Sequence, residues 1–378
     1  MLRASAIYVV LALGGVTMVL PLVWMLATSL KDPGSIYAYP PELIPRRQAT
    51  VRDAETGAER GVFTLDIDGR SQRVVHLRNL KGQAVVRLLS TGQERTVPLY
   101  VKRGERRVRT LTPVRVLHIR WRNYPDAWMA LTLDSNWLSF ELPPQRFRLF
   151  GSTYQTRPLH ARGIPIRVAF LAFYLNSIMI ALVVTVGQVL TSSLAAYAFA
   201  RLRFPGRDAL FLGYLGTLMV PFVVTMIPVF ALFNVAHLYD TYAALALPAM
   251  FSAYGTFLLR QFFLSIPKEL EDAARIDGCG KFAIYRHIIM PLSKPALATL
   301  TTFVFLQTWN SFMWPLIVID SDQRKPLMLG LHTFMGRYST DWTLLMAASL
   351  MVMIPVLLVF IAGQRYFVRG IQMSGIKG

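Results

Sequence analysis

The feature that most constrains this chain is a set of long apolar runs from which ionisable residues are missing. Residues 6–30 hold no Lys, Arg, Asp or Glu across 25 positions, and a helix needs about 20 apolar residues to cross a hydrocarbon layer. The apolar core of a signal peptide is about 7–15 residues long, so this run reads as a retained first span. Five more follow at 168–200, 209–235, 241–264, 296–319 and 343–363, free of the same four residue types except for Arg260. The pattern predicts an all-α polytopic membrane protein of about six transmembrane helices. Composition agrees: only 16% of the 378 residues are charged, against roughly 25% in soluble domains, which excludes an ordinary soluble enzyme.

Between the first two runs the sequence changes character. Residues 46–167 carry 23 Lys or Arg against 10 Asp or Glu, most of the chain's formal net charge of +19. Apolar and polar residues alternate through Val62-Phe63-Thr64-Leu65-Asp66-Ile67 and Arg73-Val74-Val75-His76-Leu77-Arg78. Asp68-Gly69, Lys81-Gly82, Thr91-Gly92 and Arg103-Gly104 punctuate such runs. Period-two runs separated by these dipeptides predict β-hairpins. The expected division is therefore 1–45 (first helix and start of an external segment), 46–167 (an inserted extracytoplasmic β-rich domain between helices 1 and 2), and 168–378 (a five-helix core). Residues 136–166, rich in Pro, Arg and aromatics, fit no pattern.

Short-loop charge gives the sidedness. Arg201, Arg203 and Arg207 follow the second run, Lys268, Arg275, Lys281, Arg286 and Lys294 follow the fourth, and Arg365, Arg369 and Lys377 follow the sixth. With six spans all three places share one face, which the positive-inside bias makes cytoplasmic. Both termini are then expected inside and the β-rich domain outside. Its own basic residues do not oppose this, because long domains translocate largely regardless of charge. An external domain gives no reason to expect nucleic acid. One cysteine, Cys279, and six scattered histidines give no metal-ligand spacing.

The loop 265–291 carries the most specific pattern. Ser265, Pro267, Glu269 and Glu271 are helix-start signals, and Gly278 and Gly280 stop that helix before a second short one reaches Pro291. Leu270, Ala273, Ala274 and Asp277 recur at i, i+3, i+4, i+7 and share a face. Two alanines there let another surface approach closely. A helix lying on lipid would want bulkier apolar residues, so a docking helix is expected.

Asp272-Ala273-Ala274, then Gly278, Ile288, Met290 and Pro291 resemble the EAA loop of permease subunits of bacterial ATP-binding-cassette importers. That pattern is Glu-Ala-Ala, three residues, Gly, nine residues, Ile-x-Leu-Pro, with Asp for Glu and Met for Leu here. Ser29-Leu30-Lys31, Tyr174-Leu175-Asn176-Ser177, Ala195 through Arg201, Met219-Val220-Pro221, Trp309-Asn310 and Val368-Arg369-Gly370 are similar to the second permease of maltose-type (MalG-like) importers. The likeness covers about 1–45 and 168–378, and 46–167 has no counterpart in it.

The resemblance implies that this chain is not an enzyme and binds no cofactor. ATP and Mg would be used by two separate ATPase subunits, one of them docked on Glu271, Asp272, Ala273, Ala274, Asp277, Gly278, Ile288 and Pro291. The chain has no phosphate-binding Gly-x-x-x-x-Gly-Lys-Ser/Thr loop of its own. A second permease subunit, an extracytoplasmic solute-binding protein and a sugar substrate are the other implied partners, with membrane lipid around the spans. A sugar path needs hydrogen-bonding and aromatic groups between spans, for which Gln307, Trp309, Asn310, Ser311, Asn176 and Gln188 are candidates; such residues also serve as helix contacts. The Arg-rich domain reads either as solvated strand edges or as a contact for an acidic patch on a partner. The rival class is an ion-coupled secondary transporter, against which stands the lack of Asp or Glu in any predicted span. A membrane enzyme built on His160, Asp126 and Asp134 has no spacing to support it.

Overall fold

The computed structural model describes the chain apart from residues 1, 37–41, 54–56, 68–69, 81, 104–105, 131, 138–139, 143–145, 150–151, 156–158, 162–163, 338–340 and 374–378. It is mostly helical, and among the described residues its strands lie between Arg46 and Val168. Among the described residues four helices are long and apolar enough to cross a membrane: Ile7–Ser29, Ala169–Arg201, Tyr242–Ser265 and Trp342–Gln364. Two bent pairs bring the number to six if each is one span. These are Arg207–Met219 with Phe222–Val235, bent by 99°, and Lys281–Leu292 with Lys294–Trp309, bent by 79°. The chain divides into two compact units, Met1–Pro125 with Asp341–Ala347, and Asp126–Thr340 with Ala348–Gly378.

The first unit begins with helix α1, Leu2–Ser29. Ten strands follow: β1 Arg46–Gln48, β2 Thr50–Arg52, β3 Glu59–Ile67, β4 Arg70–Leu80, β5 Gln83–Leu88, β6 Glu94–Pro98, β7 Tyr100–Arg103, β8 Arg106–Arg109, β9 Thr112–Pro113 and β10 Arg115–Leu117. Strands β2 to β6 pair in sequence order, β9 joins β3, and β1 pairs with β10 apart from them. Ile67 faces Arg70 across β3 and β4, the register of a two-residue hairpin; Asp68-Gly69 themselves lie outside the described residues. Gly82 and Gly92 take φ of +76° and +72°, which is why turns there carry glycine. The alternation does its expected work, since Leu65, Val74, Ala84, Val86, Leu88 and Leu111 form the sheet's apolar core. One acid is buried with them at the sheet's end: Asp53 lies 2.8 Å from Arg60 Nε and 3.3 Å from Arg87 Nη1.

Both ends of this stretch meet at the end of α1. The Asn123 amide, fully buried, donates to Ser29 O at 2.7 Å and Lys31 O at 2.8 Å. Arg120 N donates to Leu30 O at 3.0 Å, and the Ser29 and Tyr124 hydroxyls lie 2.9 Å apart. The Lys31 ammonium sits 4.6 Å from the Trp24 ring. Burial lowers its pKa from the usual lysine value, against the opposing pull of Glu42.

In the second unit, residues that fit no sequence pattern form three nested antiparallel pairs. Thr132–Trp137 pairs with Ile164–Val168, Phe140–Leu142 with Leu159–Ala161, and Arg146–Leu149 with Ser152–Gln155. Helix α2 (Asn123–Met129) precedes the ribbon, and α3 (Ala169–Arg201) leaves it. The remaining helices are α4 Arg207–Gly216, α5 Phe222–Val235, α6 Tyr242–Ala246, α7 Ala253–Ser265, α8 Glu269–Ile276, α9 Lys281–Ile284, α10 Met290–Leu292, α11 Lys294–Trp309, α12 Met313–Val318, α13 Leu327–Arg337 and α14 Trp342–Met373.

Three predicted runs are interrupted. Pro221 lacks an N–H and holds Val220 extended at φ −86°, ψ 115°, which separates α4 from α5. Pro248 starts a short turn after α6, and Ser252 then caps α7, its Oγ accepting from Gly255 N at 3.1 Å. The run expected to end at 319 stops as a helix at Trp309 and resumes at Met313. Helix α3 is the centre of the unit and lies against α7 and α11. Its approach to α7 is close: a Cβ on Gly255 would stand 2.7 Å from Ser192 Oγ. Small residues allow such contacts where lipid supplies no hydrophobic drive.

Candidate functional site

Helix α8 begins just after Pro267 and carries Glu269, Glu271 and Asp272 in its first turn, where the helix dipole favours acids. Ser265 is not part of that start; it is the last residue of α7 and its hydroxyl donates to Phe262 O at 2.7 Å. Gly278 ends the helix at φ +81°. Cys279 N reaches back to Ala274 O at 2.9 Å and Gly278 N to Arg275 O at 3.0 Å, the hydrogen bonds of a left-handed glycine cap. After the turn, α9 leads into a π-helical turn at Tyr285–Ile289 and then α10. The helix–turn–helix expected across 265–291 is present.

What the sequence did not indicate is how this loop is held. Glu271 and Ala274 turn inward, so the stripe Leu270, Ala273, Ala274, Asp277 is split between two surroundings. The Glu271 side chain is 4% exposed and lies 3.0 Å from Arg201 Nε, itself 2% exposed. Arg201, the last residue of α3, also donates through Nη2 to Ile266 O at 2.5 Å and to Phe263 O. Arg275 approaches the other Glu271 oxygen at 3.7 Å. Tyr197 OH donates to Lys281 O at 3.0 Å, and the Ser193 and Tyr285 hydroxyls meet at 2.8 Å. The loop is thus fastened to the end of α3 by a buried ion pair and several hydrogen bonds. Breaking such a pair by removing one partner costs about 3–5 kcal/mol.

Asp272, Ala273, Asp277, Gly278 and Pro291 are exposed, and Ile288 is half-buried. Beside them stand apolar residues that the sequence reading passed over: Ile276, 87% exposed, and Phe282, 65% exposed. Their signal was available, since Ile276 stands between Arg275 and Asp277 and Phe282 directly follows Lys281. An exposed apolar group beside charged ones is what a partner surface would cover.

The polar residues proposed for a path separate into two groups. A cavity of about 660 Å³ is lined by Gln307 and Ser311 together with Ser177, Gln188, Thr308 and Trp314. Asn176, Trp309 and Asn310 are not part of its wall. The Asn176 amide donates to Gln323 O at 2.8 Å and Lys325 O at 3.0 Å and accepts from Tyr242 OH at 2.9 Å. The Trp309 ring is buried, its Nε1 donating to Val352 O at 3.2 Å. Asn310 is exposed, and its side-chain amide donates to Leu306 O at 2.9 Å. No cluster of metal-ligating side chains occurs among the described residues.

A family model described as the binding-protein-dependent transport system inner membrane component matches residues 188–373. The chain is 41% identical over 203 residues to the arabinooligosaccharides transport system permease protein AraQ of Halalkalibacterium halodurans, covering 54% of this chain and 73% of that one. It is 37% identical over 251 residues to the sn-glycerol-3-phosphate transport system permease protein UgpE of Salmonella choleraesuis, covering 66% and 89%. A solved bacterial ABC transporter involved in import of the acidic polysaccharide alginate aligns with 25% identity and a TM-score of 0.50, over 54% of this chain and 82% of that one. The chain belongs to the family of binding-protein-dependent transport inner-membrane components, the permease subunits of ATP-binding-cassette importers.

Proposed function

We propose that this permease imports a carbohydrate or a similar polyol-bearing solute, driven by ATPase subunits that dock on loop 265–291. The observation that carries the proposal is the loop's division of labour. Leu270, Ala273 and Ile276 are exposed, while Glu271 fixes the same helix to α3 through Arg201. A partner pressing on the outer face would move the end of a 33-residue helix instead of deforming a loose loop. Asp272, Asp277, Gly278, Ile288 and Pro291 would frame the contact, with Ala274 and Glu271 supporting it from behind.

The solutes of the similar transporters, arabinooligosaccharides, sn-glycerol-3-phosphate and alginate, support a hydroxyl-rich solute. Gln307, Ser311 and Gln188 would line its path, with Asn176, Trp309 and Asn310 holding the helices around it. The remaining parts of the machine would be a second permease, two ATPase subunits using ATP and Mg, and a solute-binding protein outside. Six spans, both termini in the cytoplasm and the β-rich segment 46–167 outside would follow from the short-loop charges, in the cytoplasmic membrane of a bacterium.

The test is purification of the full chain in mild detergent with whatever remains attached, beside the Ile276→Asp and Leu270→Asp variants. Wild type should bring down an ATPase and a second multi-span subunit, and the variants should lose the ATPase while keeping the permease partner. A chain that is repeatedly isolated alone and takes up solute on an ion gradient would instead support an ion-coupled secondary transporter.

A further inference from the structure

The 660 Å³ cavity of the second unit has a wall without ionisable groups. Among the described residues that line it, none is Asp, Glu, Lys, Arg or His. Lys325, next to Pro326 of that wall, already has Asp322 as its partner. A cleft of about 430 Å³ beside the end of α3 is of the opposite kind, with Arg203, Lys268 and Lys281 among its lining.

The polar groups that line the cavity are amides and hydroxyls. Gln188 is only 7% exposed and lies three residues from the middle of α3, Ala169–Arg201, about 4.5 Å along the axis. Its side-chain amide makes no hydrogen bond to any described residue, and the same holds for the side chains of Gln307, Thr308 and Ser311. Ser177, in the same wall, is engaged: its Oγ accepts from Leu327 N at 2.7 Å. A polar group so far out of water and without a protein partner costs free energy, which a solute entering the cavity would return.

Amides and hydroxyls each donate and accept, as sugar hydroxyls do. A carboxylate or phosphate only accepts, so the amide oxygens of this wall would repel it. Such an anion would also have left water for the interior of a span with no cation to meet it, a cost that neutral hydrogen-bonding groups do not repay.

We propose that the solute passing this cavity is uncharged, a neutral oligosaccharide or polyol and not a phosphate ester or uronate, and that Gln188 is the residue that reads its hydroxyls. The proposal rests on the cavity being the solute path and narrows that reading by charge.

The experiment uses the full chain with its attached subunits in nanodiscs, washed free of any solute-binding protein, and follows retained solute by native mass spectrometry. Xylotriose, maltotriose and sorbitol are offered at millimolar concentration against trigalacturonate and glucose 6-phosphate. Wild type should retain a neutral probe in preference to both acidic ones. Gln188→Leu should bind that probe roughly five- to tenfold more weakly, the loss of about one hydrogen bond. Gln307 is exposed, so Gln307→Arg should fold as wild type does, and it should raise retention of the acidic probes roughly tenfold. Preference of the wild type for an acidic probe overturns the proposal and leaves the importer reading standing. Retention of no probe by a complex that carries ATPase subunits removes the cavity from the path, and the proposal with it. Binding by Gln188→Leu at the wild-type level overturns the role given to Gln188.

Discussion

The sheet of the first unit keeps an almost purely apolar core, whereas the helices of the second bury polar side chains alongside apolar ones. In the sheet, Val74, Ala84 and Val86 are fully buried, while exposed charges cover the strands. In the helical unit, Leu259, Phe263 and Leu300 are fully buried too, but so are the polar Asn176, Ser193 and Ser293. Leu212, Ile227 and Val235 point outward with 71–78% of their surface free. The sheet is assembled by excluding water. Helices in lipid gain nothing from that and are held by close packing and polar contacts. The lesson is that one scale of burial energies does not serve both halves of the chain.

Substitutions at five positions test that contrast, taken in order of expected effect on stability. Glu271→Ala should be the most damaging, at about 3–5 kcal/mol, because Arg201 is left buried without its carboxylate; thermal unfolding and transport should fall together. Unchanged stability would mean that the loop is not anchored there. Leu65→Ala in the sheet should cost about 3 kcal/mol, from lost transfer energy plus the cavity. Leu259→Ala, equally buried in α7, should cost less, since its transfer term vanishes in lipid. Hydrogen exchange resolved by segment reads both, and equal losses would break the comparison.

Asn176→Leu comes next. It removes the donor to Gln323 O and Lys325 O and the acceptor for Tyr242 OH, an expected loss of about 1–3 kcal/mol. A neutral result in detergent-resistance assays would show that water satisfies those groups. Gly278→Ala should cost about 1–2 kcal/mol through its left-handed backbone alone. A Cβ there would meet no atom within 4 Å, so Gly278→Asn, which tolerates that conformation, should recover most of the loss.

Much of the helical fold was legible because its signals are local. Charge-free runs mark the spans, Pro221 marks a break, and Gly278 marks a helix end. The sheet was legible for the same reason, in the alternation from Val62 to Ile67 and in glycine turns. The nested strands between Thr132 and Val168 were not, since their alternation, as in Arg146-Phe147-Arg148-Leu149, comes in short pieces broken up by Pro143, Pro144 and Pro158. In the loop, the spacing of Asp272 to Pro291 pointed to docking, yet the role of Glu271 was hidden. Its partner Arg201 is 70 positions away, and an acid in a first helical turn looks like an ordinary solvated one. Asn176 and Trp309 misled in the opposite direction, because the same hydrogen-bonding groups suit a sugar or a neighbouring carbonyl.

The meeting of Ser29, Leu30 and Lys31 with Arg120, Asn123 and Tyr124 has a bearing on how such a chain is built. Departure and return points of the sheet-bearing segment lie side by side, so the segment closes on one junction. Lineages could gain, trade or discard it without re-threading a single helix. For the engineer, the same junction is a socket: a reporter domain with adjacent termini, spliced between residues 45 and 119, would ride on the permease without prising its helices apart.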